Sequence, residues 1–257
     1  MKWDPAKYVQ FGDYRDRPFF DLTGRVHAQA PQQVVDLGCG PGNLTATLAE
    51  RWPAATVVGL DSSPDMLTKA AGLAAGGLRF EQGDIAGWRP PAGTDVVVTN
   101  AALQWVPGHQ DLMRTWLAAL RPGAWFAMQV PGNFNAPSHT LMRGLAASER
   151  WAPQLAGVLR GGESVGEPAE YLDLLLDAGF TADAWETSYQ QLLPGADPVL
   201  EWVRGTALRP VMAALPAEEG ALFEAEYAAL LAEAYPPGKH GTVFPFRRIF
   251  AVGQKNG

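Results

Sequence analysis

The chain is short of cysteine, of long apolar runs and of positive charge, and each shortage removes a class of protein. Among 257 residues there is one cysteine, Cys39, so no disulfide can form within the chain and a reducing compartment suits it. No uninterrupted apolar stretch reaches the roughly 18 residues that a membrane-spanning helix needs. No basic segment followed by an apolar one opens the sequence as a secretory signal would, so a cytoplasmic location is expected. Lysine and arginine number 20 against 27 acidic residues, a net charge of −7. Without a basic stripe to neutralise phosphates, nucleic acid is not the expected partner, and a small molecule is. His27, His109 and His240 share no metal-ligand spacing with one another or with Cys39, so no metal is expected. There is no internal repeat.

What is present is a strand that breaks into glycines. Val34-Val35-Asp36-Leu37-Gly38-Cys39-Gly40-Pro41-Gly42-Asn43 reads as a buried strand, a tight turn and the start of a helix. Glycine lets the backbone turn sharply and come close to a ligand, which marks a nucleotide-cofactor site. A dinucleotide fingerprint, G-x-G-x-x-G, would need glycine where Asn43 stands and would set a pyrophosphate on the helix N-terminus. The chain has G-x-G-x-G instead. Asp36, just before the turn, would repel a pyrophosphate but suits a cation such as the ammonium or sulfonium of S-adenosylmethionine.

Three further strands end in polar groups of the same logic. Thr56 to Leu60 leads to Asp61, about 20 residues after the glycines, where a carboxylate accepts hydrogen bonds from both ribose hydroxyls. Leu78 to Gln82 leads to Asp84, placed for an adenine amino group, and Val96 to Thr99 leads into Asn100-Ala101-Ala102-Leu103-Gln104-Trp105. Four strand ends, each matched to one part of one ligand, resemble the class I S-adenosylmethionine-dependent methyltransferases.

The pattern predicts an α/β fold of Rossmann-like type: a mostly parallel seven-stranded sheet, helices on both faces and a helical cap inserted in the C-terminal half. With 47% apolar residues a substantial core is available. Helices are expected over 17–27, 43–51, 64–73, 110–120, 138–150, 169–178 and 217–234. Strands are expected over 34–37, 56–60, 78–82, 96–99, 124–130, 183–190 and 243–252. Alternation of the two implies right-handed parallel crossovers with ligand at the carboxyl ends of the strands. The whole of 1–257 is expected to be one domain: a lid segment at 1–30, a cofactor-binding core at 31–130, a largely helical cap with one strand at 131–240 and a final strand at 241–257.

A narrower resemblance rests on Trp3-Asp4-Pro5, Tyr8, Arg15-x-Arg17-Pro18, the glycine turn, Gly59-x-Asp61-Ser62-Ser63-Pro64-x-Met66, Asn100-Ala101-x-Leu103-Gln104-Trp105, Leu208-Arg209-Pro210 and Phe244-Pro245. Together these are similar, nearly end to end, to the trans-aconitate 2-methyltransferase family. The resemblance implies transfer of a methyl group from S-adenosylmethionine to one carboxylate of trans-aconitate. Another small methyl acceptor, or a noncatalytic S-adenosylmethionine-binding regulator, are the alternatives.

Asp36, Gly38, Gly40, Asp61, Asp84, Asn100 and Trp105 are the residues expected to form the cofactor site. The resemblance adds Arg15, Asn43, Ser62, Met66 and Ile85. Tyr8 and Phe11, three residues apart on an N-terminal helical turn, are expected to close over the sulfonium, a cation–π contact worth ~0.5–2 kcal/mol. A carboxylate attacking a sulfonium methyl needs no proton removed, so no general base is expected. A trianionic acceptor does need cations. Arg15, Arg17, Arg143, Arg209, Arg247 and Arg248, with Asn133 and His139, are its expected ligands, arginine offering planar bidentate pairing. Cys39 is expected to be a small filler in the turn.

Overall fold

A computed structural model describes residues 12–159, 161 and 165–257. Strands β1 (Gln33–Leu37), β2 (Thr56–Asp61), β3 (Leu78–Gln82), β4 (Val96–Asn100), β5 (Trp125–Pro131), β6 (Phe180–Leu193) and β7 (Thr242–Lys255) form one sheet, in the order β3-β2-β1-β4-β5-β7-β6. The first five are parallel, and β7 runs antiparallel to β5. Val34, Leu37, Val96, Val97, Val98, Phe126 and Met128 are fully buried, as central parallel strands covered on both faces should be.

The helices of this region are α1 (Gly12–Thr23), α2 (Asn43–Arg51), α3 (Pro64–Ala70), α4 (His109–Ala119) and, after β5, α7 (Pro168–Asp177). The chain winds outward from β1 to β3, then returns to the other side of β1 and winds the opposite way through β4 and β5. Right-handed crossovers therefore set α2 and α3 on one face and α4 on the other. The reversal leaves a crevice beyond the carboxyl ends of β1 and β4, the place where such sheets take ligands.

By internal contacts the chain forms two compact units. The first comprises the described residues of Met1–Pro131, Gly166–Glu186 and Arg248–Gly257; the second comprises those of Gly132–Val165 and Thr187–Arg247. The second unit holds α5 (Pro137–Ala146), α6 (Ala152–Leu155), α8 (Pro198–Arg204), α9 (Arg209–Ala214) and α10 (Ala217–Ala234). Its core is aromatic: the Phe244 ring meets Tyr235 at 5.3 Å, Phe246 at 5.7 Å and Trp202 at 5.9 Å. Helix α10 packs on α5. There the Ser138 amide donates to the Tyr235 hydroxyl at 3.0 Å while the Tyr227 hydroxyl donates to the Ser138 carbonyl.

The expected elements are all found, with displaced ends. Among the described residues helix α1 spans Gly12–Thr23 and so stops short of the expected end at residue 27. Pro18 lies inside it, where the missing N–H forfeits one bond to the preceding turn. Gly24 closes the helix with a bond to the Phe20 carbonyl at 2.9 Å. Helix α3 ends at Ala70 and tightens into a 3₁₀ turn over Ala71–Leu73. The helix expected over 138–150 stops at Ala146. Strands β6 and β7 are 14 residues each, longer than their apolar patterns because their ends alternate with exposed residues.

Candidate functional site

The glycine turn is built by two hydrogen bonds and one close contact. The amides of Gly38 and Cys39 both donate to the Leu60 carbonyl, at 2.8 and 3.0 Å, tying the end of β1 to the end of β2. Gly38 has φ +79°, and a Cβ there would stand 2.3 Å from the Ala102 Cβ. Its lack of a side chain is therefore a packing requirement, since the loop after β4 lies directly on it. Gly40, at φ +57°, is different: a Cβ there would meet nothing within 4 Å. At Gly40 the backbone faces open space, and a ligand can approach the chain there.

Carboxylates surround the turn. Asp61 accepts from the Gly40 amide at 2.9 Å through Oδ2 and from the Ser63 amide at 2.8 Å through Oδ1. Each oxygen keeps a second lone pair, which is what a vicinal diol needs. Ser63 caps α3, its Oγ accepting from the Met66 amide at 3.4 Å, with Pro64 in the first turn. Asp84 caps the 3₁₀ turn Ile85–Gly87 by accepting from the Ala86 amide at 2.9 Å, which fixes Asp84 and the buried Ile85 as neighbours. Asn43 is the first residue of α2.

Asp36 is 3% exposed and accepts from the Thr45 hydroxyl at 2.6 Å. Burial, against that hydrogen bond and helped by the nearby Asp61 charge, pushes its carboxyl up to about 7. A cationic ligand would restore the charged form. Burial beside Asp36 and Asp61 also pushes the Cys39 thiol far up, so it holds no nucleophilic thiolate and fills the turn.

Beyond β4 the backbone is strained. Ala101 has φ +54°, and among the described residues no other non-glycine has a positive φ. Its amide donates to the Gln129 carbonyl at 2.9 Å and its carbonyl accepts from Gln104 Nε2 at 2.6 Å. Asn100 stands just before it with a buried Oδ1 that has no hydrogen-bond partner. Trp105 lies in the 3₁₀ turn Leu103–Trp105, its ring partly exposed.

These residues fit S-adenosylmethionine: an open backbone approach at Gly40, a diol acceptor at Asp61, a buried acid at Asp36 and an orphaned acceptor at Asn100. All belong to the first unit, as do Ser62 and Met66 near Asp61 in sequence. Tyr8 and Phe11 lie outside the described residues, and Arg15 is placed on α1 by its backbone alone. Among the described residues no group of three His, Cys, Asp or Glu side chains gathers as a metal site, and no helix is long and apolar enough to cross a membrane.

The expected acceptor ligands are distributed over both units. Arg17 is exposed on α1 and faces Asp21 at 3.7 Å. Arg248, in the first unit, is 6% exposed and stands opposite Pro131 of β5. In the second unit Arg143 donates to the Phe134 carbonyl at 2.7 Å, Arg247 lies 3.4 Å from the Gly132 carbonyl, Arg209 opens α9, and Asn133 is buried. His139 bonds Ser138 Oγ at 3.1 Å and packs on Phe134. Burial, with the Arg143 cation nearby, holds its imidazole down to about 4. It is therefore neutral at neutral pH and adds no charge for an anion. Sequence reading passed over Gln129, although a glutamine inside the apolar strand Trp125–Val130 is itself a signal.

Comparison with known proteins bears on the whole chain. Residues 34–123 match a family model described as a methyltransferase domain. A trans-aconitate 2-methyltransferase of Rhodococcus jostii is 57% identical, covering 98% of this chain and 99% of that protein. One of Streptomyces avermitilis is 53% identical, covering 98% and 97%. The fold is shared with phosphoethanolamine N-methyltransferase 2 of Haemonchus contortus, solved with S-adenosyl-L-methionine, at TM-score 0.54 and 15% identity over 94% of this chain and 53% of that one. A glycine turn suited to a cationic cofactor, within a chain so similar from end to end, gives the assignment: the protein belongs to the trans-aconitate 2-methyltransferase family.

Proposed function

We propose that this enzyme esterifies one carboxylate of trans-aconitate, giving the monomethyl ester and S-adenosylhomocysteine. The observation that carries the reading is identity of 57% and 53% to relatives of that name over nearly the full length of each chain. S-adenosylmethionine supplies an electrophilic methyl group on a sulfonium; a carboxylate oxygen forms the new bond to carbon while the carbon–sulfur bond breaks and sulfur keeps the electron pair.

The protein's part is positioning. A carboxylate is already deprotonated, and no side chain has to take a proton. Holding oxygen, carbon and sulfur in line removes much of the entropic barrier, about 7–11 kcal/mol in a well-aligned case. Asp61, Asp84 and the Gly40 backbone hold the adenosine, and Asp36 favours the cationic methionine end. Arg248, buried in the first unit with the cofactor residues, is assigned to one of the acceptor's carboxylates, because an acidic protein must concentrate cations locally to bind a trianion.

Labelled S-adenosylmethionine incubated with trans-aconitate, cis-aconitate, citrate and isocitrate tests this directly. The expected result is labelled monomethyl ester, formed fastest from trans-aconitate. No labelled ester from any of these acids would overturn the proposal.

A further inference from the structure

Every residue of β5 from Phe126 to Val130 is buried, and one of them is a glutamine. Gln129 is 0% exposed, and neither its Nε2 nor its Oε1 has a hydrogen-bond partner. A primary amide brings two donors and an acceptor oxygen, and burying all of them unmet is costly. The partner strands define what surrounds it. Gln129 stands level with Asn100 on the parallel strand β4 and with Phe250 on the antiparallel strand β7, and side chains of level residues share a face. Asn100 Oδ1 is also buried without a partner. Arg248, two residues from Phe250, lies on that same face.

The face is identifiable. Asp36 is level with Val98, two residues before Asn100, so Asp36, Asn100 and Gln129 point the same way. Asp36 accepts from Thr45 of α2, and Arg51 at the far end of α2 donates to the Thr23 carbonyl that ends α1. Helix α1 in turn packs on β4 and β5. The two amides thus lie at the carboxyl ends of β4 and β5, the strands on which α1 packs. The strained residue Ala101 follows Asn100 and is tied by its amide to the Gln129 carbonyl. Strain of this kind persists where the surrounding structure holds it, commonly at functional sites.

We propose that Gln129, with Asn100, binds the carboxylate that receives the methyl group; this rests on the reading of the acceptor as a polycarboxylate. In the bound complex a Gln129 N–H donates to the carboxylate oxygen that is not alkylated, with Asn100 level beside it on β4. The second oxygen keeps its lone pair for in-line attack. A neutral donor suits this position better than a guanidinium. A full ion pair would stabilise the anionic nucleophile in the ground state, and its attraction fades as the carboxylate loses charge to the methyl group. The amide bond to the non-reacting oxygen survives, because that oxygen becomes the ester carbonyl. Arg248 serves a carboxylate that stays charged.

Gln129→Met, similar in length but without donors, tests the assignment. The expected result is a fall in kcat/KM for trans-aconitate of about 10- to 100-fold, carried mainly by a raised KM for the acid, because the hydrogen bond lost is one to a charged group and is already made in the ground state. S-adenosylhomocysteine affinity should hold, and Tm should be equal or higher because an unmet amide has been removed. Unchanged kcat/KM with a raised Tm would overturn the proposal and make Gln129 a structural residue alone. Gln129→Glu is the second variant: activity lost at high pH and partly recovered on acidification, as the carboxyl regains a donor proton, supports the role; an unaltered pH profile overturns it. Wild-type enzyme that methylates none of the acids refutes the substrate reading instead, which keeps the two failures distinct.

Discussion

The two units differ in where their unmatched buried polar groups gather. In the second unit the buried hydroxyls are matched within the protein: Tyr227 and Tyr235 together satisfy the backbone of Ser138, and Arg204 pairs with Glu224 at 2.7 Å. In the first unit, at the carboxyl ends of β4 and β5, Asn100 Oδ1 and both amide atoms of the level residue Gln129 are buried and unmatched. The second unit is not free of such groups, since Gln191 and Glu219 also bury unmatched atoms, but there they are not gathered at level positions of adjacent strands. Matched polar groups stabilise a fold, whereas unmatched ones grouped at a strained loop mark a place for a ligand.

The contrast is broken most severely in the second unit's aromatic core. Phe244 is fully buried against Trp202, Tyr235 and Phe246, and Phe244→Ala should cost about 3–5 kcal/mol, read as a lower midpoint in thermal or denaturant unfolding. In the first unit Gly38→Ala should cost about 2–4 kcal/mol, combining the overlap with Ala102 and a positive φ. Gly40→Ala meets no neighbour and should cost about 1–2 kcal/mol for its φ alone, yet weaken S-adenosylhomocysteine binding. Calorimetric titration beside an unfolding curve separates the two glycines. Equal stability losses would remove the distinction between them.

The gentlest test is a slope with pH. The Asp36 carboxyl sits at about 7 in the fold and near 3.9 in the unfolded chain. Between those values the folded state holds a proton that the unfolded state has lost, so stability of the ligand-free protein should fall as pH rises from about 4 to 7. The slope from this one group is at most about 1.4 kcal/mol per pH unit. Asp36→Asn should flatten it, and a cationic cofactor should bind the wild type with release of a proton in that range. Unfolding midpoints measured across this window for both proteins would check the sign; an unchanged slope in the variant would assign the pH dependence elsewhere.

The sequence made the parallel half of the fold readable because each element carried its own punctuation. The glycine turn, the Ser63–Pro64 cap and the apolar runs ending in Asp61 and Asn100 are local signals, and their elements fell within a few residues of expectation. Helix α1 was displaced by a few residues because its ends carry weak local signals, and Pro18, a residue usual at helix starts, lies inside it. The cofactor residues were legible since each follows directly on a strand. Gln129 was not, because a lone polar residue in an apolar strand gains meaning only when its neighbours are known.

From the sequence alone came the fold class, the cofactor's cationic character and the family, all of which depend on residue types at short separations along the chain. Tertiary structure alone decided which glycine is for packing and which faces open space, since Gly38 and Gly40 differ only in what a distant loop brings against them. It also raised Asp36 toward neutrality and set Asn100 level with Gln129. Burial and strand register arise from contacts between segments far apart in the chain, and no local pattern encodes them.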